Sequence, residues 1–557
     1  MDDGFLFLRD IVIVLGLGFI GAFIARRLRL PLLLGYLLSG FAFTIVTSGR
    51  FTFDESLQTL SEIGIALLLF TLGVEFSLSR LNKVRNVAII GGIFQILLTI
   101  AATSIILPNF GFTIAQSVFL GAVFSLSSTA VVVKILTDKG ELDTVHGEVL
   151  VGMLLLQDLA VVPMMILLPQ ILTIETFTFS SMLAISIAIG KAAAILIATF
   201  ALGKTLMPIL LTRIGRLNSR ELLLLGVMFI ALLFALFASF LGLPASIGAF
   251  LAGLIMSETI EQHAVFSQIR PLRDIFSIIF FVLLGMLLTP LFFFSNLIPI
   301  LLLFAFIVII KSVIVFALLI AFSYHTKISF LVAGSLTSVG EFAFVLAGLF
   351  LTQDLISTSL YNLVLSTSLL TILITPWQIT LAPAFYRSFK RIVRRNPHIY
   401  NILFGKQDFD HSFTQELPFE NHVVILGHGR VGRVVSHILG RANIPFVGVD
   451  FNLAVVEVLK KKGIPFVYGD PSDLEVLDFA QVDKARAVVV AVPDRQTQEM
   501  IIRNALILNP KVKIIVRSHF EDDREYLLAS GANSVIAPER EAGLSIAQKI
   551  LSLYGKS

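Results

Sequence analysis

The sequence predicts a multi-pass α-helical membrane protein that ends in a soluble α/β domain. Hydrophobic residues make up 56% of its 557 residues, and the mean hydropathy is +0.91, as expected for a chain that lies mostly in lipid. Charge is unevenly distributed, because residues 1–395 hold 43 charged side chains whereas the much shorter stretch 396–557 holds 37. A membrane part, residues 1–395, therefore precedes a soluble part.

The composition also excludes several functional classes. The chain has no cysteine, which rules out disulfides, thiolate nucleophiles and cysteine-ligated metals. Its net charge is only +4 and it has no long basic run, so nucleic acid is not an expected partner. The first apolar stretch lacks a basic flank and a small-residue cleavage site, and we expect it to be a retained helix.

Thirteen apolar segments come near the ~20 residues that a helix needs to cross a bilayer. If alternate loops lie on opposite sides, twenty Lys and Arg residues fall on one side and only Arg9 and Arg50 on the other. Because basic loops stay in the cytoplasm, this predicts an external N-terminus and a cytoplasmic C-terminal domain, in the cell inner (plasma) membrane. The segments lie near residues 6–25, 30–47, 60–78, 86–107, 113–134, 147–169, 180–203, 221–240, 243–258, 273–290, 297–321, 328–350 and 358–385.

An internal repeat relates the two halves of the membrane part. Three short motifs recur at offsets of 210 to 213 residues, and six helices plus a linking helix separate the copies. The second copy therefore crosses the bilayer in the opposite sense, which is typical of secondary transporters. We predict inverted repeats at about 6–170 and 221–385, joined by a linking helix at 180–203. The motif pairs are Leu30-Pro31 to Gly40 with Leu243-Pro244 to Gly253, Leu72-Gly73 with Leu284-Gly285, and Ser125–Ser128 with Ser335–Ser338.

Two ionisable side chains lie at mid-membrane depth in this arrangement, where a charge is costly and usually functional. Asp158 follows Gln157 near the middle of the sixth segment, and Lys311 lies at a comparable depth in the eleventh. Since each would otherwise be an isolated charge in hydrocarbon, we expect the carboxylate and the ammonium to meet in the bundle core. A purely structural ion pair is the alternative interpretation.

Polar runs interrupt the fifth and twelfth segments at matching positions of the repeat. One contains Ser127, Ser128 and Thr129, and the other includes Ser338 and ends at Glu341. Broken helices free carbonyls and helix ends that can coordinate a cation. Ser and Thr can instead bond back to a carbonyl of their own helix, but the occurrence of both runs at equivalent positions favours an ion site.

The soluble part, residues 421–557, follows a predicted linker at 396–420. A β-type run leads into Gly427-His428-Gly429-Arg430-Val431-Gly432, and the next strand ends at Asp450, 18 residues beyond Gly432. In this context G-x-G-x-x-G predicts a Rossmann-like nucleotide-binding fold, with a pyrophosphate at the helix N-terminus and Asp450 on a ribose hydroxyl. A fold of this kind that binds nothing is the alternative.

These motifs together resemble the Kef-type potassium/proton antiporters of the monovalent cation:proton antiporter-2 family, fused to a regulator-of-potassium-conductance (TrkA-N-like) domain. The resemblance covers nearly the whole chain. It is carried by Gln157-Asp158, the break at Ser127-Ser128-Thr129, Gly340-Glu341-Phe342-Ala343-Phe344, Gly427 to Gly432 with Asp450, Gly469-Asp470 and Arg517.

The resemblance implies a sodium/proton-antiporter-like fold in which Asp158 is alternately protonated and bound to potassium or sodium. Relatives that move sodium usually carry Asp or Asn before this aspartate, so Gln157 favours potassium. The resemblance also implies a homodimer whose C-terminal domains bind AMP or NAD(H), with Asp470 and Arg517 among the nucleotide-binding residues. The residues through which some relatives are gated by glutathione cannot be matched in this chain.

We therefore predict a secondary active transporter and not an enzyme: a potassium/proton antiporter in which both ions compete at Asp158 and a nucleotide regulates exchange. No cofactor is expected for transport itself. A sodium/proton antiporter of the same fold is the alternative. A nucleotide-gated potassium channel is disfavoured because no selectivity filter such as Thr-Val-Gly-Tyr-Gly is present. A nicotinamide-dependent oxidoreductase is disfavoured because no catalytic acid or base accompanies the glycine motif.

Overall fold

The computed structural model describes the chain in two compact units. The first comprises Met1–Lys134, Val149–Leu318 and Ala333–Thr380, and the second comprises Ile135–Glu148, Leu319–Val332 and Leu381–Ser557. The predicted linking helix, apart from residue 190, and most of the predicted linker lie outside the described residues. The described residues are 3–28, 30, 32–47, 55–75, 87–142, 144–172, 190, 220–240, 245–257, 262–286, 288–400, 420–518 and 523–554.

Helices form nearly all of the described chain before residue 401. They are α1 (Asp3–Arg27), α2 (Leu32–Thr47), α3 (Glu55–Glu75), α4 (Gly92–Ile106), α5 (Ile114–Ser125), α6 (Thr129–Lys139), α7 (Val145–Leu172), α8 (Arg220–Phe240), α9 (Ala245–Met256), α10 (Gln262–Met286), α11 (Pro290–Ser295), α12 (Leu297–Ala321), α13 (Thr326–Ser335), α14 (Glu341–Thr352), α15 (Thr358–Val393) and α16 (Pro397–Tyr400). A π-helical turn, Val87–Gly91, precedes α4, and a 3-10 turn, Leu107–Phe110, follows it.

Six helical stretches within the described residues are long and apolar enough to cross a membrane. Other apolar helices are shorter, and two of the predicted segments are each divided into a pair of short helices. The count of thirteen crossings therefore stays a prediction. The six stretches are Phe7–Arg27, Val87–Phe110, Val145–Ile171, Glu221–Phe240, Leu297–Ala321 and Thr358–Val393.

A close crossing of α2 and α10 depends on two glycines. Gly40 of α2 lies against the backbone of Val282 in α10, and Gly285 of α10 lies against the carbonyl of Leu37 in α2. A Cβ atom at either glycine would collide with a backbone oxygen of the other helix. The two backbones can approach this closely only because neither glycine carries a side chain.

A matching crossing joins α3 and α9. Gly73 of α3 lies against the carbonyl of Phe250, and Gly253 of α9 lies against the carbonyl of Phe70. In the sequence, Gly40 of α2 corresponds to Gly253, and Gly285 of α10 corresponds to Gly73. The two crossings are thus equivalent when the predicted repeats are exchanged.

The polar runs of the fifth and twelfth segments interrupt their helices. The backbone becomes extended at Leu126, which separates α5 from α6, with φ −73° and ψ 138°. It is likewise extended at Gly340, immediately before α14, with φ −80° and ψ 165°. Several backbone amides and carbonyls in these two breaks, residues 126–128 and 336–340, therefore lack intrahelical partners and must find others.

The C-terminal part of the second unit is a doubly wound parallel sheet. Its strand order is β3-β2-β1-β4-β5-β6, with every neighbouring pair parallel and helices in the connections. The order reverses between β1 and β4, and the carboxyl ends of the strands there form the usual ligand crevice of this fold. The elements are β1 (Val423–Leu426), α17 (Arg430–Arg441), β2 (Phe446–Asp450), α18 (Leu453–Lys461), β3 (Phe466–Tyr468), α19 (Leu474–Phe479), β4 (Ala487–Val490), α20 (Arg495–Leu508), β5 (Lys513–Arg517), α21 (Asp523–Ala529), β6 (Ser534–Ile536) and α22 (Pro538–Leu553).

The sequence forms this sheet because its central strands are almost continuously apolar. Val424, Leu426, Val488 and Val490 are fully buried in one core. Parallel strands covered by helices on both faces need apolar residues at successive positions rather than at alternate ones. The sheet thus holds the glycine motif, which follows β1, in a fixed position at its carboxyl edge.

Candidate functional site

The two helix breaks of the first unit contact each other directly. The amide of Gly340 donates to the carbonyl of Leu126 at 3.1 Å, and the Ser127 hydroxyl donates to the carbonyl of Leu336 at 2.8 Å. A Cβ atom at position 340 would meet the carbonyl of Ser127, so this approach requires glycine. Polar groups freed by one break are therefore satisfied by the other.

Lys311 of α12 is fully buried, and its ammonium contacts oxygens of both breaks. Its Nζ donates to the carbonyl of Leu126 at 3.1 Å, to the hydroxyl of Ser127 at 3.0 Å and to the carbonyl of Ser338 at 2.8 Å. An ammonium has three protons, and these three bonds use them all. Lys311 thus connects the two breaks.

The prediction that Lys311 and Asp158 meet directly is wrong. The ammonium donates instead to the two carbonyls and the hydroxyl of the breaks. The physical reason is that carbonyls released at helix ends carry partial negative charge and supply several acceptors in a fixed arrangement. A buried ammonium can be satisfied by such oxygens without a carboxylate.

Asp158 of α7 is 2% exposed and is attached to the start of α6. Its Oδ2 accepts a hydrogen bond of 2.7 Å from the hydroxyl of Thr129, the first residue of that helix. The N-terminus of a helix carries partial positive charge, which favours a carboxylate there. Pro163 lies in α7 and cannot donate to the carbonyl of Leu159, so a backbone acceptor adjacent to Asp158 lacks its usual helical donor.

Gln157 is engaged at both ends of its side-chain amide. Its Oε1 accepts from the amide of Ser127 at 2.8 Å, and its Nε2 donates to Gln95 Oε1 at 2.7 Å. Gln95 in turn donates to the carbonyl of Ser125 at 3.2 Å. Sequence reasoning missed Gln95, although a buried Gln within the apolar α4 was a signal that could have identified it. The two glutamines position the first break.

Glu341 places a second carboxylate at the breaks. It is 8% exposed and begins α14. The hydroxyl of Ser128 donates to Glu341 Oε2 at 3.2 Å, and the amide of Ser128 lies 3.3 Å from the hydroxyl of Ser338. The residues predicted for an ion or proton site therefore lie in one connected cluster. They are Ser127, Ser128, Thr129, Gln157, Asp158, Lys311, Ser338 and Glu341.

Helix α15 supports the second break and was not predicted to do so. The hydroxyl of Thr371 accepts from the amide of Val339 at 2.9 Å, and the hydroxyl of Thr337 lies 2.8 Å from Gln378 Oε1. Within the described part of the chain, the hydroxyl of Tyr361 in α15 is buried without a hydrogen-bond partner, and four further buried side chains between residues 362 and 368 likewise have an oxygen without one. They are Asn362, Ser366, Thr367 and Ser368.

The glycine motif of the second unit has the geometry of a phosphate-binding turn. Gly427 has a φ of +91°, which L side chains rarely adopt. A Cβ atom on Gly432 would collide with the carbonyl of Gly427, so that glycine allows α17 to pack close to β1. A Cβ atom on Gly429 would meet nothing within 4 Å, so the space over the middle of the turn is open.

Asp450 connects the end of β2 to the glycine motif. Its carboxylate accepts from the amide of His428 at 2.7 Å and from the amide of Asn452 at 2.8 Å. Burial raises the pKa of Asp450, and the backbone hydrogen bonds partly oppose this effect. Gly427 to Gly432 and Asp450 are therefore brought together as predicted.

Asp470 follows β3, and Arg517 is the last residue of β5, on the other side of β1. Asp470 Oδ2 forms an ion pair of 2.9 Å with Lys327 Nζ, and its Oδ1 accepts from the amide and hydroxyl of Ser472. Burial alone would raise the pKa of Asp470, but the charges of Lys327 and His325 and these hydrogen bonds lower it to about 2. Arg517 ends β5, and its carbonyl accepts from Gln498 at 2.7 Å.

The chain belongs to the sodium/hydrogen exchanger family. Residues 12–384 match the transmembrane domain of that family, and residues 423–538 match the TrkA-N domain. The protein is thus an integral membrane transporter and not an enzyme. It is a monovalent cation/proton antiporter with a nucleotide-binding regulatory domain.

Its relatives include the putative cation/proton antiporter YbaL of Escherichia coli (strain K12), which is 30% identical over 546 residues, covering 96% of this chain and 95% of that protein. The putative K(+) efflux antiporter KefB of Alkalimonas amylolytica is 29% identical over 544 residues, covering 94% and 78%. The solved structure of the sodium proton antiporter MjNhaP1 from Methanocaldococcus jannaschii is 18% identical, with a TM-score of 0.54, and covers 68% of this chain and 97% of its own. The membrane part therefore has the NhaP-like antiporter fold.

The protonation of His428 gives a test of the glycine-motif geometry. Burial, with smaller contributions from Arg433 and Lys462, lowers the pKa of His428 to about 4. An unfolded chain binds this proton near pH ~6.5, so in the window between these values the unfolded state holds more protons than the folded state. Stability present above pH ~6.5 is therefore lost as the pH falls towards 4, by at most about 3 kcal/mol.

We expect His428→Gln to flatten this pH dependence in thermal unfolding followed by circular dichroism. The control is His437→Gln, which alters an exposed histidine of α17, the helix that follows the glycine motif. An identical pH slope in the His428 variant and the wild type would show that the imidazole is not held neutral in the folded protein.

Proposed function

We propose that the protein exchanges potassium for protons by alternating access, with both ions competing for Asp158. The observation that supports this most directly is a buried carboxylate bonded to the first residue of one half-helix, beside two contacting helix breaks. Half-helix ends and freed carbonyls are the groups from which transporters build cation sites. Thr129, Ser128 and nearby carbonyls would complete the coordination of the cation.

The charges of the cluster support obligatory exchange. Asp158 and Glu341 contribute two carboxylates, and Lys311 contributes one ammonium. When all three are ionised, the cluster carries one net negative charge, which either one monovalent cation or one proton neutralises. Because a net charge is costly inside a bilayer, only a loaded site would change its exposure readily. Each movement of one ion out of the cell is then coupled to the movement of the other ion into it.

Gln157 supports potassium as the preferred cation. A glutamine adds no charge next to Asp158, and its amide is already bonded to Ser127 and Gln95. A site with fewer charged ligands has a weaker field and is less able to strip water from a small cation, which favours the larger one. The name of the KefB relative agrees with this choice. Sodium/proton exchange is the alternative, because the structurally similar MjNhaP1 is a sodium proton antiporter.

Polar side chains of α15 support water access to the second break. The oxygens of Asn362, Ser366, Thr367 and Ser368 are buried and have no partner within the described residues. Buried polar atoms are normally hydrogen-bonded, and internal water supplies the bond where protein groups do not. These residues lie within three turns of Thr371, which holds the second break. We place one hydrated route to the site along them.

We further propose that AMP or NAD(H) binds at Gly427 to Gly432 and Asp450, with Asp470 and Arg517 nearby, and that the functional protein is a homodimer, as the Kef-type resemblance implies. The open space over Gly429 leaves room for phosphates at the start of α17. The carboxylate of Asp450 accepts from the backbone amides of His428, Asn452 and Phe451, and its two oxygens have about four lone-pair sites, so acceptor capacity remains for a ribose hydroxyl.

The ion pair of Lys327 with Asp470 supports a route for regulation. Lys327 lies in the first turn of α13, and this helix ends at Ser335, directly before the second break. His325, two residues earlier, stacks on Phe451 with ring centroids 5.8 Å apart. A nucleotide that engages Asp470 would compete with Lys327 and so favour one position of α13 over another. Such differential binding is what allosteric coupling requires.

Flux measurements test the site assignment. We expect Asp158→Asn to abolish potassium-driven proton movement in proteoliposomes that contain a pH-sensitive dye, because an amide can neither release a proton nor neutralise a cation. The matched control is Asp354→Asn, at an exposed position whose positive φ suits asparagine. Wild-type flux in the Asp158 variant would contradict the assignment.

Nucleotide titrations of flux test the regulatory route. We expect Lys327→Gln to remove most of the change in flux caused by AMP or NADH while exchange itself persists, because the ion pair can no longer respond to the ligand. Loss of one partner of a buried pair should also lower stability by about 3–5 kcal/mol. The control is Lys484→Gln, at an exposed lysine. An unchanged nucleotide response in the Lys327 variant would exclude this route.

A further inference from the structure

A cavity of about 380 Å³ in the second unit is lined by an excess of basic side chains. Five basic and three acidic residues line it, together with Thr497, Met500 and Tyr400. Its lining includes Asp470 but neither Asp450 nor any residue of the glycine motif 427–432. The cavity is therefore distinct from the phosphate-binding turn of the proposed nucleotide site.

Each of the three carboxylates that line the cavity is bonded to one of the five basic side chains. The Lys327–Asp470 pair is nearly inaccessible to solvent, because its lysine and aspartate side chains are 11% and 2% exposed. Paired charges of this kind neutralise each other and leave little field for a ligand. The pairs are Lys327–Asp470 at 2.9 Å, Lys390–Asp473 at 2.6 Å and Arg394–Glu475 at 3.2 Å.

Arg387 and Arg391 are the two basic residues of the cavity lining that take no part in these three ion pairs. They lie four residues apart on α15 and so share one face of the helix. Nη1 of Arg387 donates to Met500 Sδ at 3.3 Å, and a thioether is only a weak acceptor. No carboxylate of the described chain pairs with either guanidinium. Two uncompensated positive charges therefore face the same cavity.

We propose that Arg387 and Arg391 bind the phosphate group of an anionic ligand in this cavity. A guanidinium presents a planar fork of N–H donors that matches phosphate oxygens in a bidentate way, and two forks on one helix face can hold a single phosphate. The hydroxyl of Thr497 lines the same cavity and can donate a further bond. The site does not depend on Asp158 and so goes beyond the exchange function.

The phosphate has two possible sources that share this chemistry: the headgroup of an anionic phospholipid and a free phosphate compound of the cytoplasm. The two arginines lie in the last two turns of α15, which is long and apolar enough to cross a membrane. Phe385 and Ile392 of the same turns are 59% and 65% exposed, as for side chains that face lipid. Basic residues directly after a membrane helix attract anionic headgroups.

The test uses the purified full-length protein and the double variant Arg387→Gln/Arg391→Gln. One arm titrates inorganic phosphate against the protein in detergent by isothermal calorimetry. The other compares thermal stability in phosphatidylcholine vesicles with and without phosphatidylglycerol. We expect one arm to show binding to the wild type that is about tenfold or more weaker in the variant. The control is Arg395→Gln, at an exposed arginine of the same segment that does not line the cavity.

A response to phosphate that the double variant loses identifies a free phosphate ligand, and a response only to phosphatidylglycerol identifies a headgroup. Equal responses in the wild type and the double variant, or none in either arm, would overturn the proposal. Where the glutamine variant does not fold, Arg387→Lys/Arg391→Lys replaces it. This pair keeps both charges but loses the fork, and binding as tight as that of the wild type would then overturn the bidentate site.

Discussion

The membrane part of this protein depends on satisfying the backbone groups that two broken helices release inside the bilayer. Unpaired amides and carbonyls cannot persist in hydrocarbon. Here the breaks at residues 126–128 and 336–340 bond to each other, and Lys311 donates to three of their oxygens. Gln157 and Thr371 complete the arrangement from two other helices. The irregular backbone at the two breaks is thus stabilised by one buried ammonium and several hydroxyls.

Lys311 and Asp158 have separate roles in this arrangement, although an ion pair between them could have combined these roles. Lys311 serves the breaks, and Asp158 is bonded through Thr129 to the start of a half-helix. In the proposed mechanism, the charge of Lys311 is used at the breaks, and Asp158 is the carboxylate that binds a cation or a proton. The proposal then links the position of α6 to the ligand affinity of Asp158, because Thr129, which begins α6, directly follows the break that contains Ser127. Movement of α13 from its Lys327 end would act on that linkage through the second break.

Much of this organisation was readable from the sequence, for physical reasons. An acid in an apolar span, glycines that recur at nearly one offset and a glycine motif after a β-type run each reflect a local requirement that residue type alone reveals. The partners of Lys311 and the role of Gln95 were not readable, because they depend on how helices distant in the chain pack. The pairing of Lys327 with Asp470, 143 positions later, likewise requires the folded arrangement. The sequence pattern identifies the charged residues, but the groups that they contact depend on the folded structure.

Hydrogen exchange of the amides at residues 126–128 and 336–340 measures whether Lys311 stabilises both helix breaks. In Lys311→Met, which keeps the apolar length but removes the ammonium, we expect exchange in both breaks to accelerate by about tenfold or more, since three charge-assisted bonds are lost. Lys134→Met, at an exposed lysine of α6, should leave both breaks protected. Unchanged protection in the Lys311 variant, or acceleration in only one break, would show that Lys311 does not hold the two breaks together.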